Sequence, residues 1–273
     1  MTTPELALYG KEGEGKGRAY KHPFRKGDDG KAITSPSVTT VLKLEDKSNL
    51  VQWAVDLSVE WCVVNWAVLG MRSNEDAFKT ARFRYNAVRD ERAWVGTGVH
   101  ETIDSLHSGG WNFPELDEEQ QQIMLQWEDL NRVWLITPVL SEFTVWNIDS
   151  DYAGTADGLW NFTHRQSGET FVALVDIKTS KNTWPGHAMQ IAALGNSSNV
   201  LMEKLGDGTW VEKILPEFDK SVLVHLRADK WEIIEVEDTD LRLEEFLAYR
   251  KIWDVQSSIK ERVKARLTAN AGF

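Results

Sequence analysis

The apolar positions along this chain keep a helical period through its first half, switch to strand-like alternation near the middle, and return to a helical period at the end. Over residues 50–69, Leu50, Trp53, Ala54, Leu57, Trp61, Val64 and Val68 recur at the spacing of one helix face. Gly70 follows where a helix-ending glycine belongs. A second amphipathic helix is expected over 74–92, with Lys79, Arg82, Arg84 and Arg89 as a solvated basic side. The run Gly96-Thr97-Gly98-Val99-His100 reads as a glycine-rich entry into a further helix ending near Gly109 and Gly110. Residues 114–135 predict another, acidic at its start through Glu115, Asp117, Glu118 and Glu119, as the helix dipole favours. Ahead of all these, residues 1–33 read as a poorly ordered or hairpin-forming lead-in with two Gly/Lys clusters. Residues 36–42 read as a short β-branched run, followed by a polar break at 45–48.

The period then shortens. Residues 139–148 predict a strand, and Asp149-Ser150-Asp151 turns the chain into a second at 152–160. A polar stretch at 163–168 leads to the apolar run Leu174-Val175-Asp176-Ile177-Lys178, so the last two strands should form an antiparallel hairpin. A helix is expected over 187–205, broken by Gly206-Asp207-Gly208; strands at 221–227 and 231–237 and a closing helix at 239–266 complete the chain. With no internal repeat and no low-complexity linker, the pattern predicts one α/β domain over 1–273. Its parts are a strand and helical elaboration at 1–94, a core at 95–205, and C-terminal strands with a closing helix at 206–273.

Composition narrows the setting. An apolar content of 42% and a charged content of 27% are those of a soluble globular protein. No apolar run approaches the ~20 residues of a membrane-spanning helix, and the polar, glycine-rich start carries no signal-peptide core. The lone Cys62 excludes an intrachain disulfide, a cysteine-rich zinc site and a cysteine-ligated iron–sulfur cluster, and suggests a reducing, cytoplasmic compartment. A net charge of −11 argues against coating nucleic acid through the overall field, while leaving room for a local groove. Of the 13 tryptophans, most, including Trp53, Trp61 and Trp66, fall in apolar patterns, so core packing is the expectation rather than base stacking.

The candidate chemistry lies in the hairpin. Strand alternation puts Asp176 and Lys178 on one face, and the neighbouring strand brings Asp157 beside them. Two carboxylates this close repel, and a divalent cation between them relieves the conflict. Hard oxygen ligands suit Mg²⁺ or Mn²⁺, one ion or two. His100 can add a nitrogen ligand, the Ile177 carbonyl another oxygen, and Glu142 can reach a second ion or its waters. Lys178 can orient or deprotonate an attacking water and stabilise developing charge. Together these are the parts of metal-dependent phosphodiester hydrolysis. Glu101, Asp104 and His107 are expected to be solvated helix residues, and His187 and His225 to have no partner.

Asp157 followed by Asp176-Ile177-Lys178 resembles the signature of the PD-(D/E)XK nuclease superfamily. Gly96-Thr97-Gly98-Val99-His100 is similar to the Gly-x-x-x-His motif of its RecB-like exonuclease branch, and Gly154-Thr155-Ala156-Asp157 to that branch's Gly-x-x-Asp strand. Gln190 stands where a Gln-x-x-x-Tyr motif is placed, with Leu194 in place of the tyrosine, and residues 36–42 look like the opening of phage-type members. The resemblance covers about residues 95–200. It implies a restriction-endonuclease-like core, a central mixed β-sheet flanked by helices, with an N-terminal helical elaboration. It further implies His100, Asp157 and Asp176 as metal ligands, Lys178 as the catalytic lysine and Gln190 as a positioning residue. The implied activity is Mg²⁺/Mn²⁺-dependent exonucleolytic hydrolysis of DNA with a free end, in replication, repair or recombination. No iron–sulfur cluster and no membrane partner are expected, whereas a homo-oligomer or a recombination partner protein is compatible. An endonuclease on the same scaffold and a non-catalytic nucleic-acid-binding or assembly module are the competing readings.

Overall fold

The computed structural model describes residues 5–8, 17–45, 48–71, 73–109 and 115–270. The glycine-rich cluster at 9–16, Gly110, Pro114 and the centre of the 45–48 break lie outside them. The lead-in forms a small antiparallel sheet, β1 (Ala7–Leu8), β2 (Ala19–Lys26) and β3 (Ala32–Pro36), in the order β1-β2-β3. The β-branched run that follows is extended only as far as Pro36. Ser37 then accepts the Thr40 backbone N–H and starts the short helix α1 (Val38–Val41), which a tight turn over Leu42–Leu44 continues. A serine able to cap overrides the local strand propensity.

The expected helix over 50–69 is two, α2 (Ser48–Val64) and α3 (Trp66–Leu69), parted at Asn65. Of its tryptophans, Trp53 and Trp66 are 38% and 77% exposed and Trp61 is half-buried, so the core reading fails for these. The two helices expected around Gly96 are instead one, α4 (Asn74–His107), capped by Ser73. Its glycines sit inside the helix for packing rather than at its start. A Cβ on Gly98 would collide with the side-chain amide of Gln120, which donates to the carbonyls of Trp94 at 3.1 Å and Val95 at 3.4 Å. Gln120 belongs to α5 (Glu118–Val133), where Asp117 and Gln120 form a capping box that starts the helix later than the acidic run suggested.

Trp134 and Leu135 leave the helix pattern and open β4 (Trp134–Asn147), followed by β5 (Tyr152–His164) and β6 (Thr170–Lys178), antiparallel in turn as expected. After α6 (Pro185–Leu194) the expected helix does not continue. Val200–Lys204 and Trp210–Ile214 form a hairpin, β7 and β8, with Gly208 in its turn at φ +86. β9 (Lys220–Leu226), β10 (Trp231–Glu235) and α7 (Thr239–Asn270) complete the chain. The result is a mixed seven-stranded sheet in the order β10-β9-β6-β5-β4-β7-β8, with β6 and β9 parallel and the other pairs antiparallel.

Alternation splits the core between the faces of this sheet. Leu159, Leu174 and Leu223 pack with Val41, Met189, Leu194 and Phe246, which come from α1, α6 and α7. Val175, Ile177, Val222 and Val224 pack with Val99, Ile103, Ile123 and Trp127 of α4 and α5. Trp146, Ala153 and Met202 meet Tyr20 of the small sheet. Among the described residues, no helix is long and apolar enough to cross a membrane.

Candidate active site

The pairing of β5 with β6 ends at Gly158 opposite Val175, and the candidate site is built where the strands part. On β6, Asp176 shares the face of Leu174, which looks toward α6, and is only 2% exposed. Its Oδ2 lies 2.6 Å from the Lys178 ammonium, without the alignment of a hydrogen bond. Gln190, one turn into α6, ties the pair together. Its Nε2 donates to Asp176 Oδ1 at 3.0 Å, and its Oε1 accepts from Lys178 Nζ at 3.4 Å.

α6 is held where it can do this by contacts at both ends. Its Gly186 N–H donates to Glu45 Oε1 at 3.1 Å. At its far end Leu194 is buried against Gly154, where a Cβ would come within 2.5 Å of Leu194 Cδ2. That contact explains leucine at this position: a tyrosine ring would have to enter the packed core at a strand glycine.

Asp157 faces the other way. A register shift in β4 between Pro138 and Leu140 sets Glu142 opposite Asp157, between the pairs Ser141–Gly158 and Phe143–Ala156. Asp157 Oδ1 stands 3.5 Å from His100 Nδ1 of α4, and Oδ2 accepts the Ile177 N–H at 2.6 Å, in place of a ladder partner from β5. Glu142 has φ +42, a left-handed conformation that is costly for a non-glycine residue and that clusters at functional sites.

The charges in this site constrain one another. Burial, opposed by Lys178 and reinforced by the Asp157 charge, pushes the Asp176 carboxyl up to about 6. Burial also disfavours ionised Asp157, but His100, Lys178 and the Ile177 N–H outweigh it and hold the group below the usual carboxylate range. Burial likewise opposes a charge on His100, yet the facing Asp157 raises it above an ordinary imidazole. Glu142 is pushed up by burial, then by Asp104 and Asp157.

All the residues singled out in the sequence therefore gather at one end of the β5–β6 ladder. They do so as two neighbouring pairs, Asp157 with His100 and Asp176 with Lys178. Among the described residues, no three His, Cys, Asp or Glu side chains converge as a preformed cation cage, so the expected histidine-and-two-aspartate ligand trio is not assembled. The donors that remain are still of the right kind for one class of ion. Mg²⁺ keeps several waters and takes one or two carboxylates plus substrate phosphate, and does not need an all-protein cage. A nearly buried carboxylate at about 6, with no aligned donor on Oδ2, is deficient in positive charge. Asp157 and Asp176 with the Ile177 carbonyl fit such an ion.

Three expectations change here. Asp104 and His107 are partly buried rather than solvated and line a small cavity with His100, Glu142, Asp157 and Trp160. The His107 ring lies edge-on to Trp127 and Trp160 at 5.6 and 4.6 Å. His187 and His225 do have partners: His187 Nδ1 accepts the Trp184 N–H at 3.3 Å, and His225 Nε2 meets the Ser180 carbonyl at 2.6 Å. The one-turn spacing of His100 and Asp104 was the available signal for Asp104; the role of Glu45 left none. Beside Glu142 and Asp104 the sheet opens into a groove of about 720 Å³, also lined by Thr144, Met202, Trp210 and Lys213. No protein-family model matches the chain, and no curated protein is significantly similar to it.

Proposed function

We propose that this chain is a divalent-metal-dependent deoxyribonuclease of the PD-(D/E)XK type, RecB-like branch, on a restriction-endonuclease-like core. We assign it exonucleolytic hydrolysis of phosphodiester bonds at DNA ends in the cytoplasm, in replication, repair or recombination. The observation that carries the reading is the buried Asp176 joined by Lys178 and Gln190 beside a second strand-borne aspartate, Asp157. A structural ion pair has no need of a neighbouring carboxylate that raises its own acid.

Asp157, Asp176 and the Ile177 carbonyl would hold Mg²⁺ or Mn²⁺, which supplies Lewis-acid charge at a phosphoryl oxygen. Lys178 places an ammonium beside that position, where it orients the attacking water and stabilises charge gathering on the phosphoryl oxygens. In the overall step the water oxygen bonds to phosphorus as the bond to the leaving oxygen breaks, and the proton lost by water balances the one gained by the leaving group. Gln190 fixes the Asp176 carboxylate and the lysine in one arrangement. His100 holds Asp157 ionised. Preference for ends over internal bonds follows from the motif resemblance.

End-labelled linear DNA incubated in Mg²⁺, Mn²⁺ or chelator tests the proposal, with Asp176→Ala and Lys178→Ala alongside. Metal-dependent shortening from an end, lost in both variants with folding intact, is the expected result. Cleavage retained by either pure variant would remove the assignment, and nicking of covalently closed circles would replace exonuclease by endonuclease. DNA binding without turnover by the wild type would leave a non-catalytic module.

A further inference from the structure

The arm made by α2 and the first half of α4 carries apolar surface that the rest of the described chain leaves uncovered. One side of α2, with Ala54, Leu57, Ser58, Trp61 and Cys62 half-buried, faces α4, and Trp53 lies edge-on to Tyr85 at 5.6 Å. The opposite side bears Val51, Val55, Val59 and Val63, exposed by 66, 50, 56 and 70%. Trp66 on α3 and Phe78 on α4 add rings exposed by 77 and 68%. Valine is a poor choice for a solvated helix face, since it loses side-chain freedom there and gains nothing from water. Gln52, Asp56 and Glu60 border the row, and Gln52 Nε2 donates to Asp56 Oδ1 at 2.8 Å.

We propose that the valine row seats a second copy of this chain, which lays its own α2 antiparallel across it about a two-fold axis near Val55 and Val59. Two features favour a like partner. Valines spaced four apart form a single ridge of one side-chain type, and such ridges interdigitate with their own kind at roughly −50° between helices. A two-fold contact requires this kind of self-complementary surface. The area also suffices. The valine row with Trp66 and Phe78 exposes on the order of 700 Å² of apolar surface, at or beyond the ~300–600 Å² of the largest patch on an ordinary monomer. That is close to the ~800 Å² each partner contributes to a standard interface. An apolar centre with a polar border is also the usual anatomy of a homodimer contact.

Sedimentation equilibrium of the full chain at micromolar concentration is expected to give twice the 31.1 kDa chain mass. Val55→Asp combined with Val59→Asp is expected to give the chain mass with an unchanged far-UV circular dichroism spectrum. A monomeric wild type overturns the proposal and leaves the face to a different protein or to none; a dimer that survives the double substitution overturns it as well. Should that variant unfold, Val59→Cys in a Cys62→Ser background decides the matter. Mild oxidation is expected to cross-link it into dimers, and cross-linking no faster than in an Asp207→Cys control counts against the two-fold contact.

Discussion

Asp176→Asn separates an active-site carboxylate from a structural ion pair, because the two readings give opposite signs for stability. Burial with a like charge nearby raises the folded-state Asp176 carboxyl from 3.8 to about 6. Each unit is about 1.4 kcal/mol, so the ionised group destabilises the folded chain by roughly 3 kcal/mol at neutral pH relative to its neutral acid. The sign follows from linkage. Between 3.8 and about 6 the folded state binds more protons than the unfolded, so stability falls as pH rises through that window and is level above it. Asparagine removes the charge and keeps an oxygen for the Gln190 amide, at the expense of the Lys178 partner. That ammonium keeps Gln190 Oε1 and is not sealed from solvent. A net gain of about 1–2 kcal/mol remains, or several degrees in Tm for a chain this size, together with loss of hydrolysis. Thermal and urea unfolding in chelator, from pH 4 to pH 8, measure it. A variant that loses 1 kcal/mol or more at neutral pH, as breaking a stabilising buried pair would cause, refutes the reasoning.

Gln190→Ala removes a donor to a buried carboxylate, and kcat should fall by about ten- to a hundredfold, on the scale of a charge-assisted hydrogen bond, with the fold retained. Gln190→Glu should not rescue it, since an ionised glutamate cannot donate to Asp176. Burial lowers His107 to about 4 from 6.5, so the unfolded chain takes up its proton first and stability is lost as pH falls through that window, by about 2 kcal/mol for a half-buried ring. His107→Phe should flatten the acid limb of an unfolding-versus-pH curve. Gly98→Ala should destabilise by about 1–2 kcal/mol despite better helix propensity, because the new methyl displaces the Gln120 amide from the Trp94 and Val95 carbonyls. Adding Gln120→Ala should recover part of that loss in denaturant melts, a non-additivity expected of side chains in contact.

The sheet's catalytic hairpin was legible because its signals are local. Period-two alternation, a polar turn and charges at alternate positions of β6 depend only on neighbours in sequence. What failed was settled by distant residues. The glycines near His100 looked like a helix entry, since glycine weakens a helix interior. Only the arrival of Gln120, from the next helix, makes a bare backbone useful at Gly98. The β7–β8 hairpin was hidden because Val200, Leu201 and Met202 suit a helix as well as a strand, and β4 supplies the pairing partner that decides. The valine row of α2 reads as half of an amphipathic helix, and the sequence carries no sign that its apolar side faces outward.

The site itself shows the same boundary more sharply. Motif order brought His100, Asp157, Asp176, Lys178 and Gln190 into one place without stating which cation would face which carboxylate. That depends on the register shift in β4, which sets Glu142 opposite Asp157, while Asp157 itself leans toward α4 as Asp176 looks toward α6. A shift of one residue in a strand exchanges its faces. Were the bulge absent, strict alternation would turn Asp157 to the α6 side with Asp176, leaving His100 without its acid and Lys178 between two carboxylates. The bulge thus gives the two acids different cation partners, and with them different proton affinities: Asp157 held ionised, Asp176 poised near 6. Paired titratable groups pushed apart by their surroundings are the usual mark of divided labour in a hydrolytic site.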